Sequence, residues 1–163
     1  MTRNRLIAAA LSALVVVSVA LVLPRGQAAA VSTNSLVTGA GAGVFPAGAS
    51  FNGVELAGGT YGLGVQTATS GNANGDLEVQ LNGSSVFGLS QWITVSGWIT
   101  TSSLNADGTM TFNGTCTLDM GDGTAPVGGL PLVATVGPAG VQLTVGTTVL
   151  PFLPRSDGWL SID

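Results

Sequence analysis

The clearest structural signal in the chain is TMTFNGTCTLD, residues 109–119. From Met110 to Leu118, apolar residues or glycine occupy every second position, and Thr, Asn or Asp occupies the positions between them. A period of two residues puts the apolar side chains on one side of an extended strand, whereas a helix would need a period of about 3.6 residues. Burial on one side only is typical of strands in antiparallel sheets.

The same alternation recurs elsewhere in the chain. It is present in DLEVQL (76–81), WITVSGWIT (92–100) and VQLTV (141–145). Asn82-Gly83 predicts a tight hairpin after the first run, and Asn105-Ala106-Asp107-Gly108 predicts a longer hairpin between strands 91–101 and 109–118. With weaker runs included, the sequence predicts an all-β chain, a single antiparallel β-sandwich or β-barrel of about eight or nine strands.

The apolar side of these runs predicts the core. Ten residues are expected to form much of it: Leu77, Val79, Leu81, Met110, Phe112, Cys116, Leu118, Val141, Leu143 and Val145. Cys116 is the one cysteine of the chain, and its place in this pattern indicates a small buried hydrophobic residue. A domain of this length buries about two thirds of its unfolded surface, so the fold needs no disulfide or metal.

The N-terminus has the pattern of an export signal. Arg3 and Arg5 precede the uncharged run 6–23, and small residues follow it. This order predicts a signal peptide over residues 1–30, cleaved after Ala30 or Ala28, and one all-β domain over residues 31–163. The alternative is an uncleaved anchor, because the run is long enough to reach the lower limit of a membrane span. The protein is therefore predicted to be secreted or in the cell envelope, with membrane contact only through an uncleaved signal segment.

Charge and composition exclude several functions. Charged residues make up 7% of the chain, and it contains neither lysine nor histidine. After residue 30, eight carboxylates stand against Arg155 alone, which gives a net charge of −7. Nucleic acid is excluded as a partner because phosphate binding needs clustered Lys and Arg. Histidine is absent and cysteine occurs once, so the sequence predicts no catalytic residue, zinc site or cofactor. Asn72, Asn74 and Asp76 have the 1, 3, 5 spacing of calcium ligands, but the Gly and Glu of such a loop are missing, so they are interpreted as turn residues.

One face of the run 92–100 predicts a ligand site. Trp92 and Trp98 are six residues apart, so they share a strand face with Thr94 and Ser96. A flat aromatic ring beside hydroxyl groups can bind a neutral glycan or a small apolar ligand. The alternatives are that both Trp residues cap the core, or that Gly97 marks a bulge that exchanges the two faces.

Three functional hypotheses follow. The leading one is a non-catalytic extracellular β module with a binding or structural role. The first alternative is a self-assembling surface or pore subunit whose oligomeric state remains open. The second is a carboxylate-dependent small-barrel enzyme, a cyclase, isomerase or glycosidase, which a pocket holding two carboxylates about 5–10 Å apart would favour.

The segment from Tyr61 to Asp163 resembles a small all-β domain found in secreted bacterial proteins of unknown function. The matching motifs are YGLGV (61–65), GDLEV (75–79), ITVSG (93–97), FNGT (112–115) and GWLSI (158–162). The resemblance covers about three fifths of the chain. It implies an extracytoplasmic β module and supplies no catalytic residues. The alanine-rich start and the absence of lysine are typical of a high-GC bacterial source.

Overall fold

The computed structural model describes residues 34–163, which form β-strands joined by turns. The strands are β1 (Ser35–Val44), β2 (Ser50–Phe51), β3 (Val54–Thr67), β4 (Asn72–Ser84), β5 (Ser90–Leu104), β6 (Met110–Asp119), β7 (Val127–Gly137), β8 (Gly140–Val145), β9 (Thr148–Val149), β10 (Leu153–Pro154) and β11 (Asp157–Ile162). This confirms the all-β class. Within the described range, no helix could span a membrane. The predicted signal peptide and its cleavage points lie outside the described residues.

All the strands belong to one antiparallel sheet. Its path is β10-β8-β7-β6-β5-β4-β3-β1-β11, while β2 pairs with β3 and β9 pairs with β8. From β3 to β8, each strand on this path lies beside the next one in sequence, which is an up-and-down meander. The sheet curls into a barrel-like shape, so the fold is a single curved sheet and not two packed sheets.

The C-terminal segment brings the two ends of this path together. Leu153–Pro154 pair with β8, and Asp157–Ile162 pair with β1. Between these two pairings, the Ser156 amide donates a hydrogen bond to the Ala42 carbonyl oxygen at 2.8 Å. We call this junction of β8, the C-terminal segment and β1 the seam. One segment therefore pairs with both β8 and β1, and β10 and β11 are themselves the last strands of the path.

The concave side of the sheet is the hydrophobic core. All ten residues predicted for the core are buried, which confirms that part of the sequence analysis. Further buried residues are Val37, Val65, Leu132 and Val136, from strands with weaker patterns, and Ile93 and Ile99 of β5. Cys116 is part of this core, and burial raises the pKa of its thiol, which keeps the thiol protonated and unreactive.

The two predicted hairpins have different outcomes. The turn at Asn105–Gly108 is confirmed, because the Asn105 amide donates to the Thr109 carbonyl oxygen at 2.8 Å. The hairpin at Asn82-Gly83 is wrong, since β4 continues to Ser84 and the chain turns later. Gly83 instead pairs with Leu56 of β3. A Cβ at Gly83 would lie 2.2 Å from the Glu55 carbonyl oxygen, so glycine here permits close approach of two strands.

Candidate functional site

Trp92 and Trp98 lie on the outer, convex face of β5. Their side chains are 63% and 51% exposed, whereas Ile93 and Ile99 beside them are fully buried. The two Trp side chains therefore do not cap the core. Buried and exposed residues of β5 alternate without interruption through Gly97, so the strand does not exchange its two faces there. The shift in register between β5 and β6 lies between Ile99 and Thr101.

Thr94 and Ser96 lie between the two Trp residues on the same outer face. Ser96 is exposed and Thr94 is half-buried. The structure thus brings together all four residues that the sequence singled out. Six residues of extended strand separate the Trp residues by about 20 Å, which is room for an extended ligand lying along β5.

The neighbouring strand adds a row of polar side chains that the sequence analysis did not assign to the site. Its members face the same side and pair one by one with Trp92, Thr94, Ser96 and Trp98; they are Asn82, Gln80, Glu78 and Asp76. The alternation in 76–81 already placed three of them on the polar side of a strand. It could not show which strand lies beside them, because strand register is a long-range property.

Glycines of β3 open a groove on the far side of this polar row. Gly62 and Gly64 pair with Glu78 and Asp76, and a Cβ added at either glycine would meet nothing within 4 Å. The groove has a volume of about 480 Å³. A second groove of about 460 Å³ shares Thr60 as a lining residue with the first and reaches as far as Trp92.

The electrostatics of this face are acidic. Asp76 and Glu78 are both exposed, and Gln80 donates a hydrogen bond from Nε2 to Oε1 of Glu78 at 3.0 Å. The residues that line the two grooves include neither Arg nor Lys nor His. A negatively charged ligand would therefore meet carboxylates without any compensating positive charge.

Tyr61 does not belong to this face, although its backbone lies beneath the groove. Its side chain is buried in the core, over Gly41, and its hydroxyl has no hydrogen-bond partner among the described residues. Burial raises the pKa of the Tyr61 hydroxyl above its ordinary value of 10.0, and the positive charge of Arg155 offsets part of this rise. Because the ring faces inward, the hydroxyl cannot serve as an acid for a ligand on the outer face.

Metal binding finds no support in the part of the chain that the structure describes. Residues 34–163 contain no group of three His, Cys, Asp or Glu side chains placed to hold an ion.

Comparisons with protein-family models, with curated proteins and with solved structures find no match to this chain. Function is therefore inferred from the geometry and chemistry of the outer face.

Proposed function

We propose that this chain is a non-catalytic glycan-binding module of the cell exterior. The observation that carries the proposal is the exposure of Trp92 and Trp98 on one strand face, with hydrogen-bonding side chains between and beside them. Large aromatic side chains offer apolar area to the faces of sugar rings. Carboxylate, amide and hydroxyl groups next to them fix a polar ligand by hydrogen bonds.

The ligand we propose is an electrically neutral polysaccharide. Asp76 and Glu78 accept hydrogen bonds from sugar hydroxyl groups, whereas they repel the carboxylates or sulfates of an anionic glycan. The export signal predicted over residues 1–30 is in keeping with a ligand outside the cytoplasm. The resemblance to domains of secreted bacterial proteins favours the same location.

Substitution of either Trp is expected to abolish most of the glycan affinity. Trp92→Ala or Trp98→Ala removes an aromatic contact that typically contributes about 2 kcal/mol, which corresponds to a loss of about 30-fold in affinity. Stability should change by no more than about 0.5 kcal/mol, because both side chains are exposed. Depletion of the protein by insoluble cellulose or chitin measures binding, and a thermal melt measures stability.

Trp159 provides the matched control for this experiment. It is 53% exposed and pairs with Ala40 of β1, so it lies on the outer face of β11. Four strand spacings, or about 19 Å, separate it from Ser96. Trp159→Ala should therefore bind as the wild type does. Equal loss in all three variants, or no binding of the wild type to any neutral polysaccharide, would contradict the proposal.

One observation favours a second candidate, a carboxylate-dependent glycosidase. Asp76 and Glu78 line the same groove, and on an extended strand residues two apart have Cα atoms about 6.6 Å apart. Glycoside hydrolysis uses two carboxyl groups about 5–9.5 Å apart, and neighbours on one strand face are a candidate for such a pair. The groove is open and both carboxylates are exposed, however, whereas an acid catalyst needs a desolvated pocket.

Product analysis separates binding from hydrolysis. Incubation with soluble oligosaccharides is expected to release no reducing ends, and Glu78→Gln is expected to keep glycan affinity within about threefold, because the amide still forms hydrogen bonds. Release of reducing ends that stops in Glu78→Gln, with binding retained, would establish the glycosidase instead. Asp76→Asn is the companion variant for the other member of the pair.

Self-assembly through sheet edges has less support. The last strand of the path, β11, is six residues long, and a short edge strand is a poor template for the addition of a strand from another copy. We therefore propose a binding module that acts without forming a shared sheet.

A further inference from the structure

The turn between β4 and β5 ends in three exposed apolar side chains. Val86, Phe87 and Leu89 are exposed by 77%, 86% and 68%. From residue 79 to residue 106, a stretch that includes the turn and all of β5, the sequence contains no charged side chain. We call Val86, Phe87 and Leu89 the apolar tip. A protruding apolar group of this kind is rare on a soluble surface unless it contacts something.

Three backbone amides of the turn are hydrogen-bonded within it. The Ser85 amide donates to the Leu89 carbonyl oxygen at 2.9 Å, and the Gly88 amide donates to the Ser85 carbonyl oxygen at 2.8 Å. The Leu89 amide also donates to Oγ of Ser85 at 3.3 Å. The amides of Ser85, Gly88 and Leu89 are therefore satisfied within the turn, whereas those of Val86 and Phe87 need a polar partner outside it. The insertion must be shallow enough to leave these two amides among headgroups or water.

Trp92 is the first large exposed side chain behind the apolar tip on β5. It follows Leu89 by three residues, which is about 10 Å along the strand. Trp concentrates at the boundary between lipid and water because its ring is apolar and its indole N–H is a hydrogen-bond donor. Apolar residues at the tip, with an exposed Trp behind them, form the order of side chains that a shallowly inserted hairpin requires.

We propose that the apolar tip inserts into the surface of an electrically neutral lipid bilayer, with Trp92 among the headgroups. A protein partner is the less suitable occupant, because a stable protein interface needs about 20–30 residues a side and the turn Ser85–Leu89 has five. Membrane binding scales with the apolar area inserted and has no such lower limit. The net charge of −7 after residue 30 disfavours anionic lipid and selects a neutral surface. This contact is separate from the predicted signal segment, and Trp92 is the one residue that it shares with the proposed glycan face.

The test uses the position of each Trp within the full-length chain. Trp98→Phe with Trp159→Phe leaves Trp92 as the single fluorophore, and Trp92→Phe with Trp159→Phe leaves Trp98. Phosphatidylcholine vesicles with brominated acyl chains quench indoles that lie near the hydrocarbon. We expect quenching of Trp92 and none of Trp98, which lies about 20 Å further from the tip. This readout reports tip insertion even where the N-terminal segment already holds the chain on the vesicle.

Two substitutions sharpen the test. Phe87→Ser is expected to reduce the quenched fraction of Trp92 emission about tenfold, because the transfer of the Phe ring into lipid is lost. Leu104→Ser is the matched control, since Leu104 is 69% exposed at the other end of β5 and should have no effect. Neither substitution touches the glycan face, so glycan binding stays at the wild-type level in both.

Several outcomes would overturn the inference. They are equal quenching of Trp92 and Trp98, absence of Trp92 quenching, and a Phe87→Ser variant that is quenched like the wild type. Dimerisation of the wild type that Phe87→Ser abolishes, measured by sedimentation without lipid, would assign the tip to a second copy of the chain. Stronger quenching by phosphatidylserine vesicles than by phosphatidylcholine would contradict the choice of a neutral surface.

Discussion

Replacement of Phe112 by alanine is expected to lower the free energy of unfolding by about 3–5 kcal/mol. The ring is 1% exposed and is among the largest fully buried side chains of the core. Its strand neighbours in register are Ser102 and Ala134, and Ala134 is too small to fill the space that the ring leaves. Hydrogen bonds to strands on both sides hold the backbone in place, so the cavity cannot collapse. Urea denaturation, monitored by circular dichroism, measures the loss.

Phe87 gives the matched control for the same chemical change. It is 86% exposed at the apolar tip, so Phe87→Ala should change the free energy of unfolding by no more than about 0.5 kcal/mol. A loss of several kcal/mol in Phe87→Ala, or a loss below about 1 kcal/mol in Phe112→Ala, would mean that the core has been placed on the wrong side of the sheet.

Replacement of Gly43 by alanine is expected to open the seam and to cost about 1–3 kcal/mol or more. A Cβ at this position would lie 1.9 Å from the Pro154 carbonyl oxygen and 2.9 Å from Cδ1 of Leu153. The first of these atoms belongs to the backbone, so it can move away only if the C-terminal segment moves. Faster amide hydrogen exchange over residues 153–162, together with a lower melting temperature, would be the observed result.

Gly62 supplies the control for this substitution. It also lies within a strand, but an added Cβ would meet nothing within 4 Å. Gly62→Ala should therefore leave stability unchanged or raise it by about 0.4–1 kcal/mol, because alanine reduces the entropy of the unfolded chain. If Gly43→Ala behaved like Gly62→Ala, the C-terminal segment would not be packed against β1 as the structure shows.

The seam connects these stability effects to the candidate site. The outer face is formed by β3, β4 and β5 together, and it presents Trp92, Trp98 and the polar row in fixed register only while the sheet keeps its curvature. The proposed ligand lies along β5 and contacts the polar row of β4, so loosening the sheet would weaken glycan binding even though no ligand contact is removed. Gly43→Ala is expected to reduce glycan affinity by less than Trp92→Ala does.

Local sequence pattern was sufficient for much of the fold. Alternation with a period of two fixes which side chains lie on the same side of a strand, because successive residues of an extended chain point in opposite directions. For this reason the ten predicted core residues are buried, and Trp92 and Trp98 share one face with Thr94 and Ser96. The pattern alone could not assign that face to the interior or to the exterior, since aromatic residues are common in both places.

Local turn chemistry failed once, at Asn82-Gly83. This pair is the strongest short hairpin signal, yet Gly83 serves the close approach of β3 and the chain turns at Ser85–Leu89. The contact that decides the matter is with residues nearly thirty positions earlier in the chain, at Leu56. The wrong position of the predicted turn also meant that the apolar tip could not be predicted from the sequence. Val86 and Phe87 are exposed because the hairpin turns at Ser85–Leu89.

The sequence by itself determined the chemistry that this protein can use: strands that alternate between apolar and polar sides, carboxylates with almost no bases, and no histidine. Only the tertiary structure decided how these parts meet. It placed Glu78 beside Ser96 and opposite Gly62, which created the acidic groove next to the Trp residues, and it joined β1 to the C-terminal segment. The physical reason is that alternation depends on the geometry of one strand, whereas register and closure depend on packing between residues far apart in sequence.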